Sequence, residues 1–322
     1  MKWKLLGKWI LALALFGVVF LLGDVRELVH LRIAWIYVPG ILFSTLAFIL
    51  LHALRWKRVV DAMAEAGKTR FFPFYRWMIH GYTLGYVMPM EMSLLSVRMY
   101  YLNRCHNLSL PAALFSVTLD RLLDLIIFLI VVIPSFLFLL KFLPPAESLI
   151  LMAVLLSAFL VITRWKGQDG FALLIRFYRK LLTIPFLRKR MRADPGGVSW
   201  ECSLGKDGFY SISLWTVGTY LLLVLRLFST GQALHVNLTL LQCLFIIPVI
   251  QISGLIGITP ANLGFLELGS WGALLLVNVP KDQILQFVLG QRILLTAVIL
   301  FLFLSTHLLF LLRRRDGVVK RR

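Results

Sequence analysis

Long apolar runs, each ended by polar or basic residues, dominate the chain. Eight of them can form membrane helices, the shorter ones with flanking residues: Leu5–Leu22, Ile33–Leu51, Leu122–Leu140, Leu149–Thr163, Leu214–Phe228, Leu238–Ile258, Phe265–Val279 and Ile293–Leu312. A helix rises about 1.5 Å per residue, so about 20 apolar residues cross a hydrocarbon core of about 30 Å. The pattern therefore predicts an all-α, polytopic integral membrane bundle. The first run is predicted to be a retained helix, because Asp24-Val25-Arg26-Glu27 is not a small-residue cleavage site.

Two apolar stretches are interrupted by helix-breaking or charged residues. The stretch Phe71–Asn107 holds Pro89, Glu91 and Arg98, and the stretch Leu238–Val279 holds Gly254, Gly257, Pro260 and Gly264. Each is predicted to enter the membrane and return as a re-entrant or broken helix pair, the two from opposite faces. With about six full spans, this gives eight or more membrane helices. Paired breaks are typical of transporters with inverted repeats, so an inverted repeat is a hypothesis here. Two ordinary helices with proline kinks are the alternative.

Basic residues are concentrated in four segments, and this sets the predicted orientation. Of the 34 Lys and Arg residues, 24 lie in residues 1–8, 55–70, 164–206 and 313–322. Lys and Arg favour cytoplasmic loops, so both termini are predicted to be cytoplasmic, in a plasma (inner) membrane of the bacterial type. The chain is interpreted as one transmembrane domain over 1–322. Its cytoplasmic connection 164–211 carries an interfacial amphipathic helix and a turn at Asp194-Pro195-Gly196-Gly197, and 313–322 is a basic tail.

The composition excludes several classes of protein. Hydrophobic residues make up 60% of the chain and charged residues only 15%, whereas soluble domains carry about 25% charged residues. This excludes a soluble enzyme, a disordered tail and a disulfide-rich module. The net charge of +19 comes mostly from the ends of apolar runs, so nucleic acid is not an expected partner. The three cysteines, with no CxxC pair, predict neither a zinc site nor a disulfide framework.

Charged residues inside the predicted membrane segments are the candidate site. The acidic ones are Glu91, Asp120, Asp124 and Glu267, and the basic ones are Arg98, Arg121, Arg226 and Arg292. Such residues are expensive in a bilayer and face the bundle interior or a wet cavity. Four of each sign allow complete pairing. They either hold helices together as ion pairs or form a polar cavity for a charged headgroup, and the second interpretation is preferred for the set. Arg226, on an uninterrupted span, fits the group least.

Three ordered motifs resemble those of a known family. The first is Pro89, then Arg98, Asn107-Leu108-Ser109-Leu110 and Leu119-Asp120-Arg121-Leu122-Leu123-Asp124. The second is Thr259-Pro260-Ala261-Asn262-Leu263-Gly264-Phe265-Leu266-Glu267, and the third is Gln291-Arg292-Ile293-Leu294. Together they resemble the transmembrane flippase-like region of lysylphosphatidylglycerol synthases. The chain departs from that pattern at Ser93-Leu94-Leu95, where glycines and an acidic residue are usual, and at Ala261-Asn262, where two glycines are usual.

The resemblance implies a membrane-embedded, lipid-handling protein with a lipid-linked or aminoacylated phospholipid as its substrate class. Together with the charged residues, it leads us to expect a protein that moves or binds an anionic or lipid-linked headgroup. Arg98, Arg121 and Arg292 are then expected to bind the headgroup, with Glu91 nearby, while Asp120, Asp124 and Glu267 hold the arginines. Pro89, Pro260 and Gly264 are expected to create the breaks. Membrane lipids are the expected partners, with lipid-biosynthesis enzymes as an open alternative, and no cofactor is expected.

Enzyme interpretations carry less weight. The chain ends ten residues after the last predicted helix, so no soluble synthase domain is expected. It contains no P-loop, HExxH or GxSxG motif. A lipid-modifying transferase that holds Mg²⁺ on Asp120 and Asp124 is one alternative, although Arg121 between them favours charge pairing. A non-catalytic scaffold of a lipid-biosynthesis complex is the other.

Overall fold

The computed structural model describes residues 2–22, 32–63, 69–182, 204–255 and 259–319. Within these ranges the chain is all-α, with ten α-helices and no strand. The helices are α1 (Lys2–Leu22), α2 (Val38–Asp61), α3 (Phe71–Leu84), α4 (Met90–His106), α5 (Leu110–Leu139), α6 (Pro145–Leu182), α7 (Lys206–Ala233), α8 (Leu240–Leu255), α9 (Phe265–Leu276) and α10 (Lys281–Val319). Short 3-10 turns lie at Trp35–Tyr37 and Pro260–Asn262. The predicted polytopic helical fold is confirmed.

The helices fall into two length classes. Five ranges are long and apolar enough to cross a membrane: Trp35–Asp61, Leu110–Leu139, Pro145–Gly167, Asp207–Ala233 and Lys281–Leu312. Helix α1, with 21 residues, also has the length of a span. Helices α3, α4, α8 and α9 have 14, 17, 16 and 12 residues, so none of them reaches about 30 Å. These four short helices are the two predicted broken pairs.

Helices α3 and α4 form an antiparallel hairpin. Near its tip, the Ser93 hydroxyl donates to the Gly81 carbonyl oxygen at 2.5 Å. At its open end, the Phe74 ring lies 6.0 Å from the His106 ring. Helix α4 begins directly after Pro89, where the missing N–H removes no helical hydrogen bond. Both ends of the hairpin therefore lie together, as predicted for Phe71–Asn107.

Helices α8 and α9 form a second hairpin around the second break. The Asn262 side-chain amide donates to the Gly254 carbonyl oxygen at 3.2 Å. The Ser253 side chain lies directly against Gly269, where a Cβ would overlap it. This close approach brings α8 and α9 together side by side. Gly257, which was predicted to belong to the break, lies outside the described residues.

The tips of the two hairpins touch. The Ala261 N–H donates to the Met88 carbonyl oxygen at 3.3 Å. Helix α3 follows the end of α2, where Thr69 N–H donates to the Asp61 carboxylate at 3.0 Å. Helix α8 follows the end of α7, where Ala34 N–H donates to the Ala233 carbonyl oxygen at 2.8 Å.

The chain divides into two compact units. The hairpin-tip unit comprises Met1–Ile49, Met78–Leu94 and Leu222–Arg322. The ion-pair unit comprises Leu50–Trp77 and Leu95–Leu221. The boundaries pass through helices α2, α3, α4 and α7, so each unit contains parts of these helices.

The long connection after α6 begins as a helix. Helix α6 bends at Lys166, with φ −115° and ψ 15°, and continues to Leu182. Arg164, beside this bend, forms an ion pair with Asp207 and lies over the Tyr210 ring at 5.6 Å, which ties the start of α7 to α6. The turn predicted at residues 194–197 lies outside the described residues. In the predicted basic tail, α10 continues to Val319.

Candidate functional site

A buried ion-pair network in the ion-pair unit is centred on Arg55. Its Nε pairs with the Asp120 carboxylate, and its Nη1 and Nη2 donate to the two Asp124 oxygens at 2.6 and 2.9 Å. The side chains of Arg55 and Asp120 are both 0% exposed. Charge-assisted, bidentate bonds of this kind are among the strongest hydrogen bonds in proteins. The network therefore joins α2 firmly to α5.

Arg98 completes the buried part of the network. Its Nη1 donates to the second Asp120 oxygen at 2.5 Å, and its guanidinium lies over the Trp56 ring at 5.3 Å. Trp56 in turn packs edge-on against Phe74 and Tyr101. A carboxylate on one side and an aromatic face on the other both stabilise the guanidinium. Arg98 is thus held within the protein interior.

The edge of the network is accessible. The Arg121 Nη1 lies 3.4 Å from the Asp124 carboxylate, and these two side chains are 29% and 27% exposed. A guanidinium at such an edge can pair with its carboxylate and still offer donors to an anion.

Three residues of the network have the composition of a metal site. One ligand atom from each of His52, Asp120 and Asp124 lies within 4.8 Å of the others. Arg55, however, donates to both carboxylates from the same side chain. A divalent cation bound to both aspartates would have to displace a fully buried guanidinium, which would strand its charge. This arrangement favours charge pairing over metal binding.

A second charged cluster, in the hairpin-tip unit, stabilises the irregular backbone between α8 and α9. The Glu267 carboxylate accepts a hydrogen bond from Gly264 N–H at 2.6 Å and lies 3.2 Å from Arg292 Nη1. Arg292 Nη2 donates to the Ala261 carbonyl oxygen at 2.9 Å. The Glu267 side chain is 3% exposed and that of Arg292 is 21% exposed. Arg292 therefore joins α10 to the irregular backbone while part of its side chain stays accessible.

The break keeps left-handed backbone although it lacks the usual glycine pair. Ala261 and Asn262 have φ values of 55° and 53°, and Gly264 has φ 85°. A Cβ on Gly264 would also overlap Leu15 of α1. Asn tolerates this conformation, whereas an alanine there is strained by about 1–2 kcal/mol. The chain therefore bends at Ala261-Asn262, although these residues stand where the resemblance predicted two glycines.

These backbone conformations predict opposite effects on stability for two substitutions, one that adds a Cβ methyl group and one that removes it. We expect Gly264→Ala to destabilise the protein by about 2 kcal/mol or more, because strain and overlap with α1 add. We expect Ala261→Gly to be neutral or stabilising by up to about 1 kcal/mol, because the release of strain exceeds the added freedom of the unfolded chain. Thermal unfolding in detergent measures both, and equal destabilisation by the two exchanges would contradict the described geometry.

The predicted site residues fall into two groups. Arg98, Asp120, Arg121 and Asp124 meet in the ion-pair unit, and Pro89, Pro260, Gly264, Glu267 and Arg292 belong to the hairpin-tip unit. Glu91, predicted at the site, lies exposed in the first turn of α4.

One prediction about the charges was wrong. Arg55 was counted with the basic segment 55–70, but it lies inside α2, which ends at Asp61 rather than near Leu51. The missed signal is His52 and Arg55, three residues apart on one helix face and flanked by apolar residues. Of the four arginines counted as possible partners of the acids, three form ion pairs with them: Arg98, Arg121 and Arg292. Among the residues described here, no carboxylate pairs with Arg226.

Comparison with known proteins identifies the family of the chain. A protein family described as the lysylphosphatidylglycerol synthase TM region matches residues 9–303, nearly the whole chain. No curated protein matches the chain. The match covers every charged residue of the two clusters.

Proposed function

The chain belongs to the lysylphosphatidylglycerol synthase transmembrane-region family, and from this membership we propose that it translocates anionic or lipid-linked headgroups across the membrane. The protein is an integral membrane protein related to lipid handling. The proposed transport site is the place where the two hairpin tips meet. The acyl or prenyl chains of the passenger stay in the surrounding lipid.

The observation that carries this proposal is the contact between the two breaks. Between the tips of the two hairpins, Ala261 N–H donates to the Met88 carbonyl oxygen. Irregular backbone at membrane depth needs protein or water to satisfy its polar groups, and transporters use such breaks to bind substrates near the midplane. Arg292, partly exposed beside this contact, supplies a positive charge for an anionic headgroup.

Glu267 gives Arg292 a partner while the site is empty. The ion pair keeps the arginine from being stranded without a counter-charge, which would be costly inside a membrane. An arriving phosphate can bind the accessible donors of Arg292, and Glu267 pairs with Arg292 again after release. The sequence has no nucleotide-binding motif, so we propose that transport follows the gradient of the lipid.

We assign two roles within the ion-pair network. Arg98, which is fully buried and already bound to Asp120, positions that aspartate rather than the headgroup. Arg121, at the accessible edge with Asp124, offers a further contact for an anionic headgroup. For the whole protein we propose a plasma-membrane location with both termini cytoplasmic, as the basic segments indicate.

Transport is tested with purified protein in sealed vesicles. Fluorescent phosphatidylglycerol is placed in both leaflets, and a membrane-impermeant quencher reports how much of it reaches the outer leaflet. We expect the quenched fraction to rise from about half in empty vesicles towards completion when the wild-type protein is present. Vesicles that contain folded protein and behave like empty ones would contradict the transport function.

One observation favours a second candidate, a metal-dependent lipid transferase. His52, Asp120 and Asp124 offer ligand atoms close together. This candidate requires a covalently changed lipid and a divalent cation, and transport requires neither. Mass spectrometry of vesicle lipids after incubation with and without Mg²⁺ separates the two functions.

A further inference from the structure

Arg226 on α7 differs from the arginines of the two clusters. Those four arginines each contact an aspartate or a glutamate: Arg55, Arg98, Arg121 and Arg292. Within the described ranges, Arg226 has no such ion pair, and its guanidinium lies over the Phe48 ring. A cation inside a membrane span is energetically unfavourable, and its presence there therefore indicates a functional site.

The charge of Arg226 lies deep in the predicted membrane. The guanidinium carbon is 5.3 Å from the centroid of the Phe48 ring. Phe48 is the midpoint of the span Trp35–Asp61. Helical side chains lean towards the N-terminus of their helix, which on α7 leads away from Ala233 and towards the middle of the span. Arg226 therefore does not extend towards the end of α7, where a long basic side chain would reach water.

Aromatic side chains connect Arg226 to the hairpin tips. The Phe48 ring lies 6.1 Å from the ring of Tyr82, which is 8% exposed near the end of α3. Beyond the end of α3, the Met88 carbonyl oxygen accepts a hydrogen bond from Ala261 N–H, and Arg292 donates to the Ala261 carbonyl oxygen. These residues all belong to the hairpin-tip unit.

We propose that Arg226 and Arg292 together bind the phosphodiester of the passenger lipid. The site deepens the proposed function and rests on it, because it names the lipid chemistry that the hairpin-tip site recognises. Guanidinium groups match phosphate oxygens in shape and charge. While the site is empty, Glu267 neutralises Arg292, and the Phe48 face stabilises Arg226 less completely. A phosphodiester supplies the negative charge that Arg226 lacks.

The test measures lipid binding, which does not depend on transport. Purified protein in detergent is titrated with phosphatidylglycerol and with diacylglycerol of the same acyl chains, and native mass spectrometry gives the bound fraction. We expect Arg226→Gln to weaken phosphatidylglycerol binding about tenfold or more, as for a lost charge-assisted hydrogen bond, and to leave diacylglycerol binding unchanged. Arg164→Gln is the matched control, because it removes an exposed arginine of the ion-pair unit. We expect this variant to keep its affinity for both lipids.

Several outcomes decide the proposal. Unchanged phosphatidylglycerol binding by Arg226→Gln, or equal loss of both lipids, overturns it. If Arg226→Gln does not purify as folded protein, Arg226→Lys decides: weaker binding of the anionic lipid alone supports the site, and wild-type binding overturns it. With inorganic phosphate as competitor, displacement of the lipid supports recognition of the phosphate group itself. Binding that depends on Arg226 but resists displacement supports a site for the phosphodiester of an intact lipid.

The same experiment separates this site from the transport function. Binding that depends on Arg226, in a protein that moves no lipid in vesicles, contradicts transport and leaves the site standing. Transport of phosphatidylglycerol with binding that does not depend on Arg226 supports transport and overturns the site.

Discussion

Replacing Arg55 with alanine will lower the free energy of unfolding by about 3–5 kcal/mol, the usual effect of removing one partner of a buried ion pair. Asp120, fully buried, would keep Arg98 as a partner but lose Arg55, and Asp124 would lose two hydrogen bonds. Because whole domains are stable by only about 5–15 kcal/mol, we expect poor yield and a much lower unfolding temperature in detergent. Thermal unfolding followed by circular dichroism measures the effect.

Arg121 provides the matched control for this prediction. It belongs to the same network, but its contact with Asp124 is 3.4 Å long and both side chains are partly exposed. Partly exposed ion pairs contribute about 0–1 kcal/mol, so Arg121→Ala should unfold close to the wild type. A double exchange of Arg55 and Asp120 to Met and Leu should be at least as destabilising as Arg55→Ala alone, because it also removes the carboxylate that pairs with the buried Arg98. Equal stability of Arg55→Ala and the wild type would contradict the network.

Replacing Arg292 with alanine will slow headgroup translocation by about tenfold to a hundredfold, the size expected for a lost charge-assisted contact. The reason is twofold: the accessible positive charge is removed, and Glu267 is left buried with Gly264 N–H as its remaining described hydrogen bond. The initial rate of phosphatidylglycerol quenching in the vesicle assay measures the effect.

Loss of structure must be separated from loss of charge in this variant. Arg292 also donates to the Ala261 carbonyl oxygen, so its removal can loosen the break. Arg292→Lys keeps the charge without the bidentate geometry, and we expect it to retain part of the rate. The double variant Arg292→Ala with Glu267→Gln removes the stranded charge. Recovery of stability in the double variant without recovery of transport supports a direct role for Arg292, and wild-type transport by Arg292→Ala contradicts it.

The class of fold follows from the sequence because apolar length is nearly sufficient to define a spanning helix. The two breaks were also predictable, since Pro89, Pro260 and Gly264 interrupt apolar runs with residues that cannot continue them. The predicted return of Phe71–Asn107 is confirmed by the α3–α4 hairpin.

The partners of the charges could not be predicted in the same way. A local pattern places Asp120 and Asp124 on one face of α5, but their partner Arg55 is more than sixty residues away in the chain. The same pattern assigned Arg55 to a loop, because a basic residue at the end of an apolar run is typical of a membrane interface. Only the packing of α2 against α5 shows that the charge is neutralised inside the protein. The left-handed conformation of Ala261 could not be predicted from the sequence either, since alanine seldom adopts it.

The lipids that the purified protein retains give the most direct test of an anionic-headgroup site at the hairpin tips. After washing in detergent, the retained lipids of the wild type and of Arg292→Ala are identified by mass spectrometry and compared with the membrane from which each was extracted. We expect anionic or lipid-linked species to be enriched on the wild type and to fall to their membrane proportion on Arg292→Ala. Retained lipids that match the membrane composition in both proteins would contradict such a site.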